Sequence, residues 1–353
     1  MELPSDQLKS FADRMARLVV SDQGKEVMEH LRLTGWLTPP SNDGGENRST
    51  FRDPATIKRV GIWERQSKAG QTYFSRRMDM QKDWKWWASV GRINAKGSKR
   101  RVVLLGESVA RGFLYDPVFN PAMALEKMLQ SEMGKDRVEV IDLARTNLGL
   151  EGLRNIASSA MALEPDAVVI FAGNNWVCSP NGVSDLRTVA AFLRESGLPA
   201  LKQYAEEWLA RAAAELMDSV AELCRAKGIS LVWIVPEFNL GDWQDPQPSP
   251  PHLPQGALRE WIDCWEKAQT ALHEGDFKTA EDLANRMIAL DEGVTASGWS
   301  IRAQCHLNAG DVEMARRDLE RARDAVIWDS FTARNLSPRA FSVVQQALRA
   351  GAI

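Results

Sequence analysis

RVVLLGESVARG, residues 101–112, decides how this chain reads. A short β-branched apolar run ends in Gly106, and a serine comes next but one, at what reads as the start of a helix. Working outward, the pattern recurs. PAMALEKMLQSEM (121–133) reads as a helix, RVEVIDLA (137–144) as a second strand, and LEGLRNIASSAMAL (150–163) as a second helix. DAVVIFAG (166–173) is a third strand, residues 183–227 a long helical region, and ISLVWIVPEF (229–238) a fourth strand. Apolar strands separated by helices predict a parallel sheet covered on both faces, and right-handed crossovers make it doubly wound. The expected fold class is therefore α/β, with a doubly wound parallel sheet over residues 101–258.

Beyond the fourth strand lies PEFNLGDWQDPQPSPPHLPQG (236–256), rich in proline and read as loop. The chain then turns helical and repeats itself. ALHEGDFKTAEDLANRMIALD (271–291) aligns with HLNAGDVEMARRDLERARD (306–324), with Gly275 over Gly310 and Ala280 over Ala315. The spacing of 35 is close to the 34-residue period of tetratricopeptide repeats, so 259–327 reads as a tetratricopeptide-like insertion. Two such units are fewer than an array needs alone, which implies packing on the sheet domain or a partner. A plain helical hairpin is the alternative. SPRAFSVVQQALRAGAI (337–353) reads as a helix, and 328–353 as a return to the α/β domain.

On the other side, residues 5–35 carry apolar residues at helical spacing, and TPPSNDGGENRST (38–50) is loop. Residues 51–100 place Trp63, Tyr73, Phe74, Trp84, Trp86 and Trp87 among basic side chains without a clean period. Residues 1–100 are thus expected to form a helical and basic N-terminal extension. Its aromatics could stack on bases, but covering a neighbouring domain is the preferred reading, and nucleic acid is not the expected partner.

Charge is unevenly spread. From Arg52 to Arg101 there are 14 Lys/Arg against 4 Asp/Glu, a balance of +10 that leaves −13 for the remainder of a chain whose net charge is −3. Such a segment either faces an acidic partner, such as a carrier protein, a nucleic acid or an anionic membrane surface, or packs as a solvated face of its own chain, the favoured reading. Cys178, Cys224, Cys264 and Cys305 form no CxxC pair, which argues against a zinc site or disulfide framework and for a reducing compartment. The N-terminal twenty residues lack the apolar core of a signal peptide, and no apolar run is long enough to span a bilayer. A cytoplasmic protein without metal or organic cofactor is expected.

The segments leaving the strands carry the chemistry. Strand one runs into Gly106-Glu107-Ser108-Val109-Ala110-Arg111-Gly112, strand two into Asn147-Leu148-Gly149-Leu150, and strand three into Gly173-Asn174-Asn175-Trp176. In a doubly wound sheet these segments leave at the carboxyl edge, where ligands bind at the switch in strand order. With order 2-1-3-4, Ser108 and Asn175 face one another across that crevice, with Gly149 beside them. A serine opening a helix is placed for nucleophilic attack. The tetrahedral oxyanion it forms needs donors, and the backbone N–H groups of Ser108 and Gly149 and the Asn175 carboxamide can supply three.

Here the sequence resembles the SGNH (GDSL-type) serine hydrolases, whose blocks are named for Ser, Gly, Asn and His. Gly106-Glu107-Ser108 looks like the first block, with Glu in place of the usual Asp; Asn147-Leu148-Gly149 looks like the second; Gly173-Asn174-Asn175 looks like the third, with Trp176 where Asp is frequent. The resemblance covers residues 101–240. It implies a flavodoxin-like SGNH fold and an ester or thioester hydrolase or acyltransferase working through a Ser108 acyl-enzyme. Glu107 would brace the turn or touch substrate, Asn174 would line the pocket or face solvent, and Arg111 would hold a substrate carboxylate or phosphate or form a salt bridge to Glu107 or Asp116.

The fourth block departs from the family. A DxxH motif after a fifth strand should supply the base and its orienting aspartate, yet the histidines are His30, His252, His273 and His306, and none lies in such a motif. Three readings compete: a piece of a longer enzyme, completion by a second polypeptide, or a pocket kept for binding alone. His252, after strand four, is the candidate substitute base, set against its reading as an ordinary loop histidine. A catalytically silent scaffold working through the repeats, or one subunit of a split enzyme, is the alternative function. The partners expected are an acyl ester or thioester substrate and an acidic carrier protein or completing subunit.

Overall fold

A computed structural model describes residues 56–176, 186–241, 253–327 and 340–351. The chain divides into two compact units. One comprises Asn42–Trp176, Ala210–Glu237 and Val344–Ile353, the other Met1–Ser41, Val177–Leu209 and Phe238–Val343.

The first unit opens with a small antiparallel sheet of order β1-β2-β3-β4, from β1 (Arg59–Val60), β2 (Trp63–Lys68), β3 (Gln71–Arg76) and β4 (Arg92–Asn94). Residues 59–94, expected from sequence to be part of an extension, are thus a folded sheet. Ala69 and Gly70, at φ 51° and 76°, make the two-residue turn joining β2 to β3, the geometry whose twist matches a hairpin. The strand period is blurred in sequence because Arg65 and Arg76 share the inner face with Trp63, Phe74 and Ile93. Those cations lie over rings, Arg65 over Phe74 at 5.2 Å and Arg76 over Trp84 at 5.3 Å.

Next comes the parallel sheet: β5 (Arg100–Gly106), β6 (Val138–Asp142), β7 (Ala167–Phe171) and β8 (Ser230–Ile234), in order β6-β5-β7-β8. This is the 2-1-3-4 order expected from sequence, all pairs parallel. β5 is buried from Arg101 to Gly106, as a central strand covered on both faces must be. At the β8 edge the pattern differs, with Ser230, Val232 and Ile234 exposed. The segment joining β3 to β4 bonds to the loop after β6: Ala88 N–H donates to Ala144 O at 2.9 Å and Thr146 N–H to Trp86 O at 2.7 Å. Arg101, 2% exposed, donates to Asn94 O, Leu163 O and Glu139, so its buried charge is matched on every side.

Helices α1 (Ser108–Arg111) and α2 (Pro121–Met133) lie between β5 and β6, and α3 (Leu150–Ala160) between β6 and β7. α2 starts where Asn120 Oδ1 accepts Met123 N–H with Pro121 next in line. α3 buries Leu153, Ile156, Ala157 and Ala160, the helical spacing seen in sequence. α4 (Leu186–Ala226) is interrupted at Gly197, φ 78°, two residues before Pro199.

The second unit contains α5 (Gln255–Glu274), α6 (Phe277–Asp291), α7 (Ala296–Asn308) and α8 (Val312–Ala325). Trp261, Ala268, Ala280, Ala284, Met287 and Ile301 form much of its core, small residues letting the helices approach. The turns α5–α6 and α7–α8 repeat almost atom for atom. Gly275 and Gly310 both sit at φ 78°, and Asp276 and Asp311 accept Thr279 N–H at 3.1 Å and Met314 N–H at 3.0 Å. Each aspartate is an N-cap. Gly310 and Gly275 supply the left-handed backbone the turn needs.

α9 (Ser342–Ala350) gives its residues from Val344 onward to the first unit. Gln345 Nε2 donates to Pro236 O at 2.9 Å and Arg349 pairs with Glu237 at 2.8 Å, which fastens α9 beside the end of β8. Among the described residues no helix is long and apolar enough to cross a membrane.

Candidate functional site

The three segments singled out in sequence leave β5, β7 and β6, adjacent strands of one parallel sheet, at its carboxyl edge. Gly106 permits the first turn: a Cβ there would lie 2.1 Å from Phe171 O and 2.5 Å from the Ala110 Cβ. Ser108 then opens α1, half-buried, and its carbonyl accepts Phe113 N–H at 2.9 Å.

Glu107 joins the first segment to the third. It is fully buried, and its Oε2 accepts Asn175 N–H at 2.9 Å and Gly173 N–H at 3.3 Å. Of the two roles expected for it, the brace is the one the hydrogen bonds show. Two main-chain amides held on a carboxylate fix the backbone of the Asn175 loop. Gly173, at φ 128°, packs so closely that a Cβ would stand 3.1 Å from both Pro236 and Val344. Asn174 and Asn175 are half-buried, and Trp176, buried, meets Trp233 edge to face at 6.4 Å. Neither Asn174 Oδ1 nor Trp176 Nε1 has a partner among the described residues.

Gly149 caps the start of α3 at φ −93°, exposed, with nothing within 4 Å of where a Cβ would be. Neither backbone strain nor a protein neighbour demands glycine here. The open space beside its amide is what a ligand approaching that N–H requires. The loop before it lies against the first: Leu143 N–H donates to Leu104 O and Arg145 N–H to Gly106 O, each at 2.9 Å.

Arg111 is held by acceptors of the protein itself. Its Nε donates to Trp87 O at 3.0 Å, a terminal nitrogen donates to Thr146 Oγ1 at 3.2 Å, and the other stands 3.9 Å from Asp116. It ties α1 to the segment between β3 and β4 and to the loop after β6. Of the two readings offered for it, the ion pair is the one the structure shows, with Asp116 rather than Glu107 as partner. Asp116 also accepts from Ser89 Oγ and Asn120 Nδ2.

Sequence reasoning passed over Asp142, the last residue of β6. It is 6% exposed and accepts Ala144 N–H at 2.9 Å. Burial, with the nearby Asp116 charge, pushes its carboxyl up to about 7 although Arg111 acts the other way. An acidic residue at the last position of a strand, at the carboxyl edge of the sheet, was the available signal.

No histidine occurs in Asn42–Trp176, Ala210–Glu237 or Val344–Ile353, the unit that holds Ser108. His30 and the candidate base His252 lie outside the described residues. His273 is exposed in the last turn of α5, and His306 Nε2 stands 3.5 Å from buried Asp318 on α8. The described cysteines are buried, and burial raises the Cys224 and Cys305 thiols to about 11, which makes them poor nucleophiles. Among the described residues no group of three or more His, Cys, Asp or Glu is placed to hold a metal ion. No protein-family model, curated protein or solved structure matches this chain.

Proposed function

We propose that the chain is an SGNH-type serine hydrolase or acyltransferase, with a flavodoxin-like catalytic unit, that acts on an ester or thioester through a Ser108 acyl-enzyme. The observation that carries this reading is the brace between Glu107 and Asn175 at 2.9 Å, which couples the nucleophile turn to the segment bearing the third oxyanion donor. Ser108 N–H, Gly149 N–H and the Asn175 carboxamide form the oxyanion site; one such donor is worth about 3 kcal/mol in the transition state. The base this reading needs is the sequence candidate His252 or a group of a completing subunit. An acidic carrier protein is the macromolecular form of the substrate that the +10 segment suits.

The experiment is labelling with a fluorophosphonate probe, first on this chain alone and then with any co-purifying protein. Labelling that vanishes in Ser108→Ala supports the reading. Probe on another residue, or none in either setting, removes it.

A second reading is a catalytically silent scaffold whose tetratricopeptide-like pairs, α5–α6 and α7–α8, do the work. The absence of histidine from the Ser108 unit favours it. It predicts no probe labelling with or without partners, and protein capture that survives Ser108→Ala.

A further inference from the structure

The two edges of the parallel sheet differ. No residue of the edge strand β6 is exposed, whereas β8 exposes Ser230, Val232 and Ile234. Val232 is 50% and Ile234 38% exposed. They sit opposite Val169 and Phe171 of β7, on the face that Leu125, Leu129 and Met133 of α2 cover nearer the middle of the sheet. Neither joins that apolar cluster.

The main chain of β8 is open as well. Ser230 N–H donates to Asp166 O at 3.1 Å. The alternation of a strand then turns the main-chain groups of Ser230, Val232 and Ile234 toward β7 and those of Leu231 and Trp233 outward. Among the described residues no strand pairs on that outer side. The devices that blunt an edge strand are missing. From Ser230 to Ile234 there is no charged residue and no proline, and the register with β7 runs without a bulge.

Such an edge calls for another strand. A bilayer would answer Val232 and Ile234 but leave the outward amides and carbonyls unmet, whereas an extended backbone answers both. The flanking charges say whose strand it is. Lys227 lies five residues before Val232, exposed and without an ion-pair partner among the described residues. Glu237 lies five residues after Val232. It pairs with Arg349 and accepts from Gln345, yet is 57% exposed and keeps lone pairs for a further donor. In an antiparallel pair turned about Val232, Lys227 of each copy falls at the register position of Glu237 of the other. Leu231 then falls opposite Trp233, so their outward groups bond to one another, and Val232 meets Val232. We infer that β8 pairs in this way with β8 of a second copy of this chain, about a twofold axis at Val232. Closed twofold dimers are the commonest assembly, and this edge is its own complement in backbone and in charge. The pairing is independent of any chemistry at Ser108.

The test is light scattering of the full chain across a dilution series. The parent should weigh as two chains and dissociate on dilution. Val232→Lys and Val232→Glu each set like charges face to face across the axis, and each should weigh as one chain. Mixed in equal parts, the two variants should regain the mass of two chains, because Lys then meets Glu. Val232 is exposed, so an unchanged circular dichroism spectrum certifies the fold. Ser108→Ala should dimerise like the parent. A monomeric parent, a dimer that survives either single change, a mixture that stays monomeric, or a different polypeptide seated on this edge in place of a copy would overturn the inference.

Discussion

The carboxylate of Glu107 accepts the backbone N–H of Asn175 at 2.9 Å, which joins the turn before Ser108 to the loop after β7. Glu107→Ala strands two main-chain donors and should cost about 3 kcal/mol in urea unfolding. Glu107→Gln keeps an acceptor, loses the charge assistance, and should cost about 1 kcal/mol. Fluorophosphonate labelling of Ser108 should fall in the same order. Two variants as stable as the parent would show that the brace is dispensable.

Gly106 and Gly149 should separate stability from reactivity. Gly106→Ala drives a methyl to 2.1 Å from Phe171 O and should destabilise by about 3 kcal/mol or more. Gly149→Ala meets open space at an ordinary φ, so its stability should change by less than about 1 kcal/mol. Its probe-labelling rate should nonetheless drop about tenfold. Labelling at the parental rate by Gly149→Ala would take that amide out of the site.

Asp142 makes folding depend on pH in an unusual direction for an aspartate. Its folded carboxyl holds a proton up to about 7, whereas its ordinary value is 3.8, so the folded chain binds the extra proton between those limits. Stability from this group is complete below the lower value, falls as pH rises through the interval, and is level above it. Urea unfolding across that range should show this decline in the parent and its absence in Asp142→Asn. Parallel curves for the two proteins would refute the assignment.

The twin aspartate caps offer a test of the repeat itself. Asp276→Ala and Asp311→Ala each remove one N-cap hydrogen bond in the same setting, and each should cost about 1 kcal/mol in thermal unfolding. Distant sites add, so the double variant should lose about twice as much. A large difference between the two single variants would mean that the turns are alike in shape only.

The sheet order was legible because each of RVVLLG, RVEVIDLA, DAVVIFAG and ISLVWIVPEF is apolar and bounded by turn residues, and right-handed crossovers leave few arrangements. The β1–β4 sheet was not, since Arg65 and Arg76 occupy its inner face and break the alternation that marks a strand. Only the Ala69-Gly70 turn between two polar-aromatic runs hinted at a hairpin. The Arg111 role was hidden for a related reason. Its acceptors, Trp87 O and Thr146 Oγ1, come from segments 24 and 35 residues away, and no local spacing encodes such a meeting. Glu107 stood in the right place, but whether a carboxylate points at ligand or backbone is decided by the loop that closes over it.

Every histidine of the chain lies outside the unit that holds Ser108. If that unit works as the serine hydrolase proposed above, it owns the serine and the amide donors but no imidazole, so ester cleavage waits on a proton acceptor from His252 or from another polypeptide.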